Sequence, residues 1–316
     1  MSRAPRINIV DNCPWIAPQD TYLYRLLHRL FGAELSGDPD YVFYSVFGYA
    51  HSHPQFDRCV KIFFTGENLR PDFSLCDYAL SFDHLENEPR HLRWPIYLHY
   101  LKQGDLIKRA DFKAAEVLKA KSRFCNFVYS NPKAETRIRF FKELSKYKKV
   151  DSAGSVLNNQ EEMVKDKLAF LNKYKFTIAF ENSRHSGYTT EKLVEPMLAD
   201  SLPIYWGNRA VGMEFNTRSF VNCHEHDSFE SVIEEVIRLD QDDGRYIAKM
   251  KEPWTIGNTD SEYVKDAYSF QFFSRVFATP PHGYPKWSGV LPRNFADLAS
   301  NDAGAVTGAP EYRDFE

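Results

Sequence analysis

The chain has 316 residues, of which 43% are hydrophobic and 15% aromatic, and its formal net charge is −3. That length suits two domains of ordinary size, and the apolar content argues against disorder. There is no overall basic field of the kind that recruits nucleic acid, no run of about 18 apolar residues that suggests a transmembrane helix, and no secretory h-region. The cysteines, Cys13, Cys59, Cys76, Cys125 and Cys223, are scattered, odd in number and without a CxxC pair. They argue against a disulfide framework or zinc knuckle and fit a reducing cytosol.

Strand-like and helix-like pieces alternate along the chain. Arg6–Asp11 reads as a strand. Asp20–Phe31 reads as a helix with Asp20 as N-cap and Tyr22, Leu23, Leu26, Leu27 and Leu30 on one side. Tyr41–Phe47, Val60–Phe64 and Tyr78–Phe82 read as further strands, the second ending in Thr65, Gly66, Glu67 and Asn68. Residues 100–121 are charged and poorly patterned, and read as an interdomain connection or an acceptor loop. Phe124–Tyr129 reads as a strand and Glu135–Tyr147 as an amphipathic helix with Phe140, Phe141, Leu144 and Tyr147 inward.

The stretch Tyr174–Asn208, YKFTIAFENSRHSGYTTEKLVEPMLADSLPIYWGN, reads as strand, polar turn, helix, turn, strand. Its first strand, Phe176–Phe180, runs into Glu181, Asn182 and Ser183, and Tyr188 to Lys192 open the helix. Pro196 falls inside that helix, where it removes a backbone hydrogen bond. Ligands of open α/β sheets lie beyond the carboxyl ends of the strands, and a helix start there suits a phosphate. A strand at Ser219–Asn222 and a helix at Phe229–Asp240 follow. Phe270–Trp287 is aromatic-rich and is expected to pack back across the domains, and the tail from Asn301 is small, polar and expected to fray. The alternation predicts an α/β protein of two Rossmann-like domains facing across a cleft, divided as 1–122 and 123–290 with a tail at 291–316.

The segment FTIAFENSRHSGYTTEK…LPIYWG closely resembles the α-1,3/4-fucosyltransferase family, whose signature is a strand ending in FEN, then Tyr-x-Thr-Glu-Lys, then a Pro-containing strand ending in a Gly turn. Three further blocks agree in order: KIFFTGENLRPDFSLCDYALSFDHL (Lys61–Leu85), FVYSNPKAETRIRFFKEL (Phe127–Leu144) and KVDSAGSVLNN (Lys149–Asn159). Together they span about residues 40 to 225. Thr189 stands where the family usually has Val, and Asp200 where many members have a small residue such as Gly.

The resemblance implies a GT-B glycosyltransferase that moves L-fucose from GDP-fucose to a sugar hydroxyl with inversion. It implies an N-terminal acceptor-binding domain and a C-terminal GDP-fucose-binding domain. Animal members carry an N-terminal membrane anchor, which is not evident here, so the chain looks like a bacterial, cytoplasmic member. Peripheral attachment to a membrane stays open, as does oligomeric state. The implied acceptors are lactose or N-acetyllactosamine types, as in Lewis glycans. No metal cofactor is implied as a requirement, although Mn²⁺ or Mg²⁺ could stimulate by binding diphosphate.

An inverting transfer needs a base for the acceptor and cations for the departing diphosphate. Glu67 lies at a strand tip, where placement alone favours a surface turn carboxylate or a pair for a nearby arginine; the resemblance makes it the general base. For the diphosphate the resemblance favours Arg137, in the first turn after Ser130–Pro132, over its rival Arg139. It adds Lys192 and assigns Glu191 to the nucleotide-sugar. Asn182 and Tyr188 are expected to bind donor hydroxyls or phosphate. Phe73 and Trp94 flank the Glu67 block and could stack on acceptor sugars, although most such aromatics are core.

Two Asp-x-Asp matches, Asp38-Pro39-Asp40 and Asp240-Gln241-Asp242, read better as turn and cap residues than as a metal motif. His224-Glu225-His226 lacks further ligands at suitable spacing. Competing readings are a transferase for another nucleotide-linked hexose and a carbohydrate binder without catalysis. A nucleotide-binding oxidoreductase is weaker, since GxGxxG is absent.

Overall fold

The computed structural model describes residues 3–85, 87–161 and 163–279. These form two compact units: one runs to Trp94 and is rejoined from Lys265 onward, and the other is Pro95–Val264.

The N-terminal unit is a six-stranded sheet in the order β2-β1-β3-β4-β5-β6, parallel throughout. Its strands are β1 (Arg6–Val10), β2 (Glu34–Leu35), β3 (Tyr41–Tyr44), β4 (Val60–Phe64), β5 (Tyr78–Ser81) and β6 (His91–Arg93). The apolar runs of β3 and β4 are buried at every position, as a strand covered on both faces requires. Helix α1 (Tyr22–Phe31) buries Leu23, Leu26 and Leu27 and stops at Gly32, whose φ of 65° suits glycine. Its N-cap is Thr21, which accepts the Tyr24 N–H, and not the expected Asp20; Pro18 opens a 3₁₀ turn, Pro18–Asp20, that uses Asp20 before the helix begins.

The last described helix, Asp266–Ala278, belongs to this unit. Phe270 stacks on Phe31 at 5.0 Å and Phe277 packs edge-on against Tyr41 at 4.9 Å. Phe270–Ala278 therefore docks on the N-terminal sheet. The rest of the expected aromatic segment, and the tail, lie outside the described residues.

The C-terminal unit is a five-stranded parallel sheet in the order β11-β10-β9-β7-β8. The strands are β7 (Arg123–Phe127), β8 (Val150–Ser152), β9 (Tyr174–Phe180), β10 (Leu202–Trp206) and β11 (Val221–Asn222). Its helices are α2 (Ala114–Ala120), α3 (Glu135–Leu144), α4 (Lys167–Leu171), α5 (Glu191–Leu198), α6 (Phe229–Gln241) and α7 (Asp243–Lys251). In chain order the helix Asp266–Ala278 is α8.

The division differs from the expected 1–122 and 123–290, because residues 95–122 are built into the C-terminal unit. The Lys108 ammonium is buried against the carbonyls of Met250 and Glu252 and lies 3.6 Å from the centre of the Trp254 ring. Asn258 bonds the Lys108 backbone through both N–H and C=O, and Asp260 accepts the Gly104 N–H. The charged composition of this stretch hid a lysine that packs as an anchor.

Asp200 has a φ of 49° in the turn between α5 and β10. This is the left-handed region where glycine is cheapest, which explains the family's small residue there.

Candidate active site

The carboxyl ends of the C-terminal strands carry a buried polar cluster. β9 is buried from Phe176 to Phe180, and the next residue, Glu181, is buried with its carboxyl group among hydrogen bonds. One oxygen accepts the Thr190 N–H at 2.8 Å and the other the Thr190 hydroxyl at 2.6 Å. Thr190 is the N-cap of α5, accepting the Lys192 N–H. The loop and the helix start are thereby tied to the end of the central strand.

Lys192 folds back over this cap. Its ammonium lies 2.9 Å from Glu191, 3.2 Å from the Thr190 hydroxyl and 3.8 Å from Glu181. Burial pushes the Glu181 carboxyl up to about 7, against the pull of Lys192. Burial would likewise lower Lys192, but Glu181 and Glu191 outweigh it and hold the ammonium charged.

Arg137 is 1% exposed although it begins a helix with a charged sequence. Its guanidinium lies 4.1 Å from the centre of the Tyr129 ring and donates to the Asn182 side-chain oxygen. Among the described residues its buried Nε has no acceptor. Tyr129 is fixed in turn, donating to the Ile178 carbonyl and accepting the Phe180 N–H. Arg137 and Lys192 both act electrostatically on Tyr129, so the two cations serve one small region. Arg139, the sequence rival, is exposed and lies over the Phe229 ring instead.

Gly207, after β10, has a φ of 155°, and a Cβ there would meet Glu181 Cγ at 2.4 Å. Asn208 accepts the N–H groups of Gly187 and Ala210 at 2.8 Å each and donates to the Thr189 hydroxyl at 3.0 Å. The unusual Thr189 is thus used for a buried hydrogen bond that valine could not make. Tyr188 is buried beside it. Asn182, Tyr188, Glu191, Lys192 and Arg137 therefore gather at one sheet end.

Glu67 belongs to the N-terminal unit, half-buried in the turn after β4, where its N–H is held by the Thr65 hydroxyl at 3.0 Å. Trp94, read as a sugar-stacking candidate, is 3% exposed and packs between Tyr22 and Phe273, so it is core. Phe73 is partly buried against the Tyr44 and Phe63 cluster, with the Arg90 guanidinium 4.6 Å from its ring. Trp94 therefore presents no open face.

The carboxylates of the Asp-x-Asp matches are engaged. Asp38 and Asp40 both pair with Arg6; Asp240 pairs with Lys148 and Lys175; Asp242 caps α7. His224 accepts the Gly207 N–H at 3.1 Å, and burial lowers its pKa to about 4. Among the described residues no cluster of three or more His, Cys, Asp or Glu side chains could hold a metal.

Sequence reasoning placed Glu181 and the helix start containing Thr190 at an anion site without seeing that the two bond each other, and it missed Asn208 and Tyr129 as parts of the site.

Two family models match the chain: the alpha-(1,3)-fucosyltransferase FucT N-terminal domain over residues 7–100, and the glycosyltransferase family 10 (fucosyltransferase) C-terminal part over residues 118–265. The alpha-(1,3)-fucosyltransferase FucT of Helicobacter pylori is 32% identical over 268 residues, covering 74% of this chain and 56% of that protein. The chain thus spans about half the length of that relative. The structure is similar to a crystal structure of alpha1,3-fucosyltransferase, with TM-score 0.75 and 26% identity over 89% of this chain and 92% of that one. It is also similar to a crystal structure of alpha1,3-fucosyltransferase with GDP-fucose, with TM-score 0.72 and 28% identity over 89% and 93% of the two chains. The paired parallel α/β units agree with the GT-B type.

Proposed function

The chain belongs to glycosyltransferase family 10, the fucosyltransferases, and on that premise we propose that it transfers L-fucose from GDP-fucose to the 3-hydroxyl of the GlcNAc or glucose of N-acetyllactosamine or lactose-type acceptors, with inversion. The observation that carries this reading is the convergence of Arg137 and Lys192 on the carboxyl end of β9, each held by a buried neighbour.

In this reading Arg137 and Lys192 bind the diphosphate, and the unshared Arg137 Nε supplies a further donor. The α5 start adds N–H groups and a dipole, worth about 0.3–2 kcal/mol to an anion, too little alone for a departing diphosphate. Glu191, Asn182 and Tyr188 orient the donor's hydroxyls and phosphates. The acceptor oxygen attacks the anomeric carbon while Glu67 takes the hydroxyl proton; the bond to the GDP oxygen breaks, and GDP leaves with its electron pair. The two cations supply the counter-charge, so no metal is required of the mechanism, and a divalent ion would act only on diphosphate. The proposed setting is the cytoplasm, with peripheral membrane attachment left open; no described helix is long and apolar enough to cross a membrane.

The test is GDP release from GDP-fucose by purified protein in EDTA, with and without lactose or N-acetyllactosamine. Acceptor-dependent release is expected. Absence of release with either acceptor, despite GDP binding, would overturn the acceptor assignment, and absence of GDP binding would overturn the donor assignment.

A further inference from the structure

Two carboxyl groups already face the Lys192 ammonium, Glu191 at 2.9 Å and Glu181 at 3.8 Å. The donor diphosphate is a third anion for the same cation. Glu181 has the weakest hold on it. Its side chain is fully buried, whereas that of Glu191 keeps 21% exposure and the shorter contact. Among the described residues no cation lies within hydrogen-bond distance of Glu181. Its bonds come from the Thr190 N–H at 2.8 Å and the Thr190 hydroxyl at 2.6 Å, both neutral donors. Gly207 packs so closely that a Cβ there would meet Glu181 Cγ at 2.4 Å, so the carboxyl has no room to turn toward a better partner.

The groups around Glu181 leave it as the one that titrates. On α3, burial lowers Arg137, which as an arginine still keeps its proton. Tyr129, after β7, and Tyr205, on β10, are driven upward by burial and stay neutral at pH 8. On α5, burial would raise Glu191, but Lys192 holds it below its ordinary value. Glu181 is raised to about 7 by burial, with Lys192 opposing and Glu191 adding to the rise. More negative charge at Lys192 disfavours its ionised form further. A buried carboxyl then takes a proton rather than remain a charge without a cation. Protonation lets the 2.6 Å bond reverse, the carboxyl O–H donating to the Thr190 oxygen. The Thr190 hydroxyl hydrogen is thereby released toward whatever Lys192 holds, since that ammonium lies 3.2 Å from the Thr190 oxygen.

We propose that Glu181 is a positioning residue that takes one proton from solvent when the donor diphosphate binds Arg137 and Lys192, and returns it when GDP leaves. This rests on the donor-site reading and adds a proton-coupled step to it.

The test is calorimetric titration of wild type, Glu181→Gln and Glu195→Gln with GDP-fucose, without acceptor, at pH 8 in buffers of different ionisation enthalpy. GDP-fucose is used because its diphosphate, esterified at both ends, has no proton to lose near neutral pH. Wild type should take up roughly half a proton or more per ligand bound. Binding that takes up a proton weakens as pH rises, so wild-type Kd should increase about four- to tenfold between pH 7 and 8.5. Glu181→Gln should bind without proton uptake and with a Kd flat over that range, a readout that a merely structural role would not move. Glu195, also raised by burial and paired with Lys167, is the rival proton acceptor; Glu195→Gln should keep the uptake.

Wild-type binding without uptake would overturn the proposal and leave the donor site standing. Uptake that persists in Glu181→Gln, or is lost in Glu195→Gln, would place the proton elsewhere and overturn it. Should Glu181→Gln not fold, retained uptake in Glu195→Gln supports the proposal and lost uptake overturns it. Wild type that does not bind GDP-fucose would remove the donor reading and the proposal together.

Discussion

The Glu181 carboxylate accepts both the backbone N–H and the hydroxyl of Thr190, at 2.8 and 2.6 Å, and through that residue holds the start of the helix bearing Lys192. Its pKa is raised to about 7 by burial, against Lys192. Folding therefore raises the proton affinity of this carboxyl above its unfolded value. Stability from this group is fully present below its unfolded value near 4.5 and is lost as pH rises through about 7. The stability of wild type relative to Glu181→Gln should fall by roughly 2–3 kcal/mol between pH 4.5 and 8, read by denaturant unfolding. A difference that is flat with pH contradicts the assignment.

Arg137→Ala and Lys192→Ala should each weaken GDP binding. A charged hydrogen bond is worth about 1.5–3 kcal/mol, so Kd should rise roughly ten- to a hundredfold, measured by calorimetry. Unchanged GDP affinity in both variants would remove these residues from the diphosphate site.

Gly207→Ala places a Cβ 2.4 Å from Glu181 Cγ at a φ of 155°. The expected cost is about 1–3 kcal/mol of stability, with weaker GDP binding because Glu181 and Thr190 must shift. A variant with wild-type melting temperature and GDP affinity would contradict this packing.

Trp94→Ala should cost about 3–5 kcal/mol of stability, as for any large core aromatic, while the folded protein keeps its acceptor KM. A rise in acceptor KM at unchanged stability would restore the sugar-stacking role that its burial denies it.

The parts of the fold legible in sequence were those whose burial is local. Val60–Phe64 and Phe176–Phe180 are buried along their whole length and apolar apart from Lys61 and Thr177, because central parallel strands are covered on both faces. β2, β6 and β8 have two or three residues each, too few to show a period. Asp20 and Thr21 are adjacent candidate caps, and only the turn begun by Pro18 selects between them. Trp94 sits between Arg93 and Pro95, and the burial that makes it core is not local, since its partner Phe273 comes from α8, far along the chain. Motif resemblance points to Arg137, Asn182, Tyr188, Glu191 and Lys192, whereas the bonds that hold them, through Glu181, Thr190, Tyr129 and Asn208, form only when three strand ends are brought together.

The most direct test of the central claim is the transfer rate of Glu67→Gln alongside its GDP dissociation constant. A positioned base contributes about 10²–10⁴-fold, so fucose transfer to N-acetyllactosamine should fall by that factor while GDP binds as in wild type. Transfer at the wild-type rate would show that Glu67 is not the base, and loss of GDP binding with transfer would place it in donor binding instead.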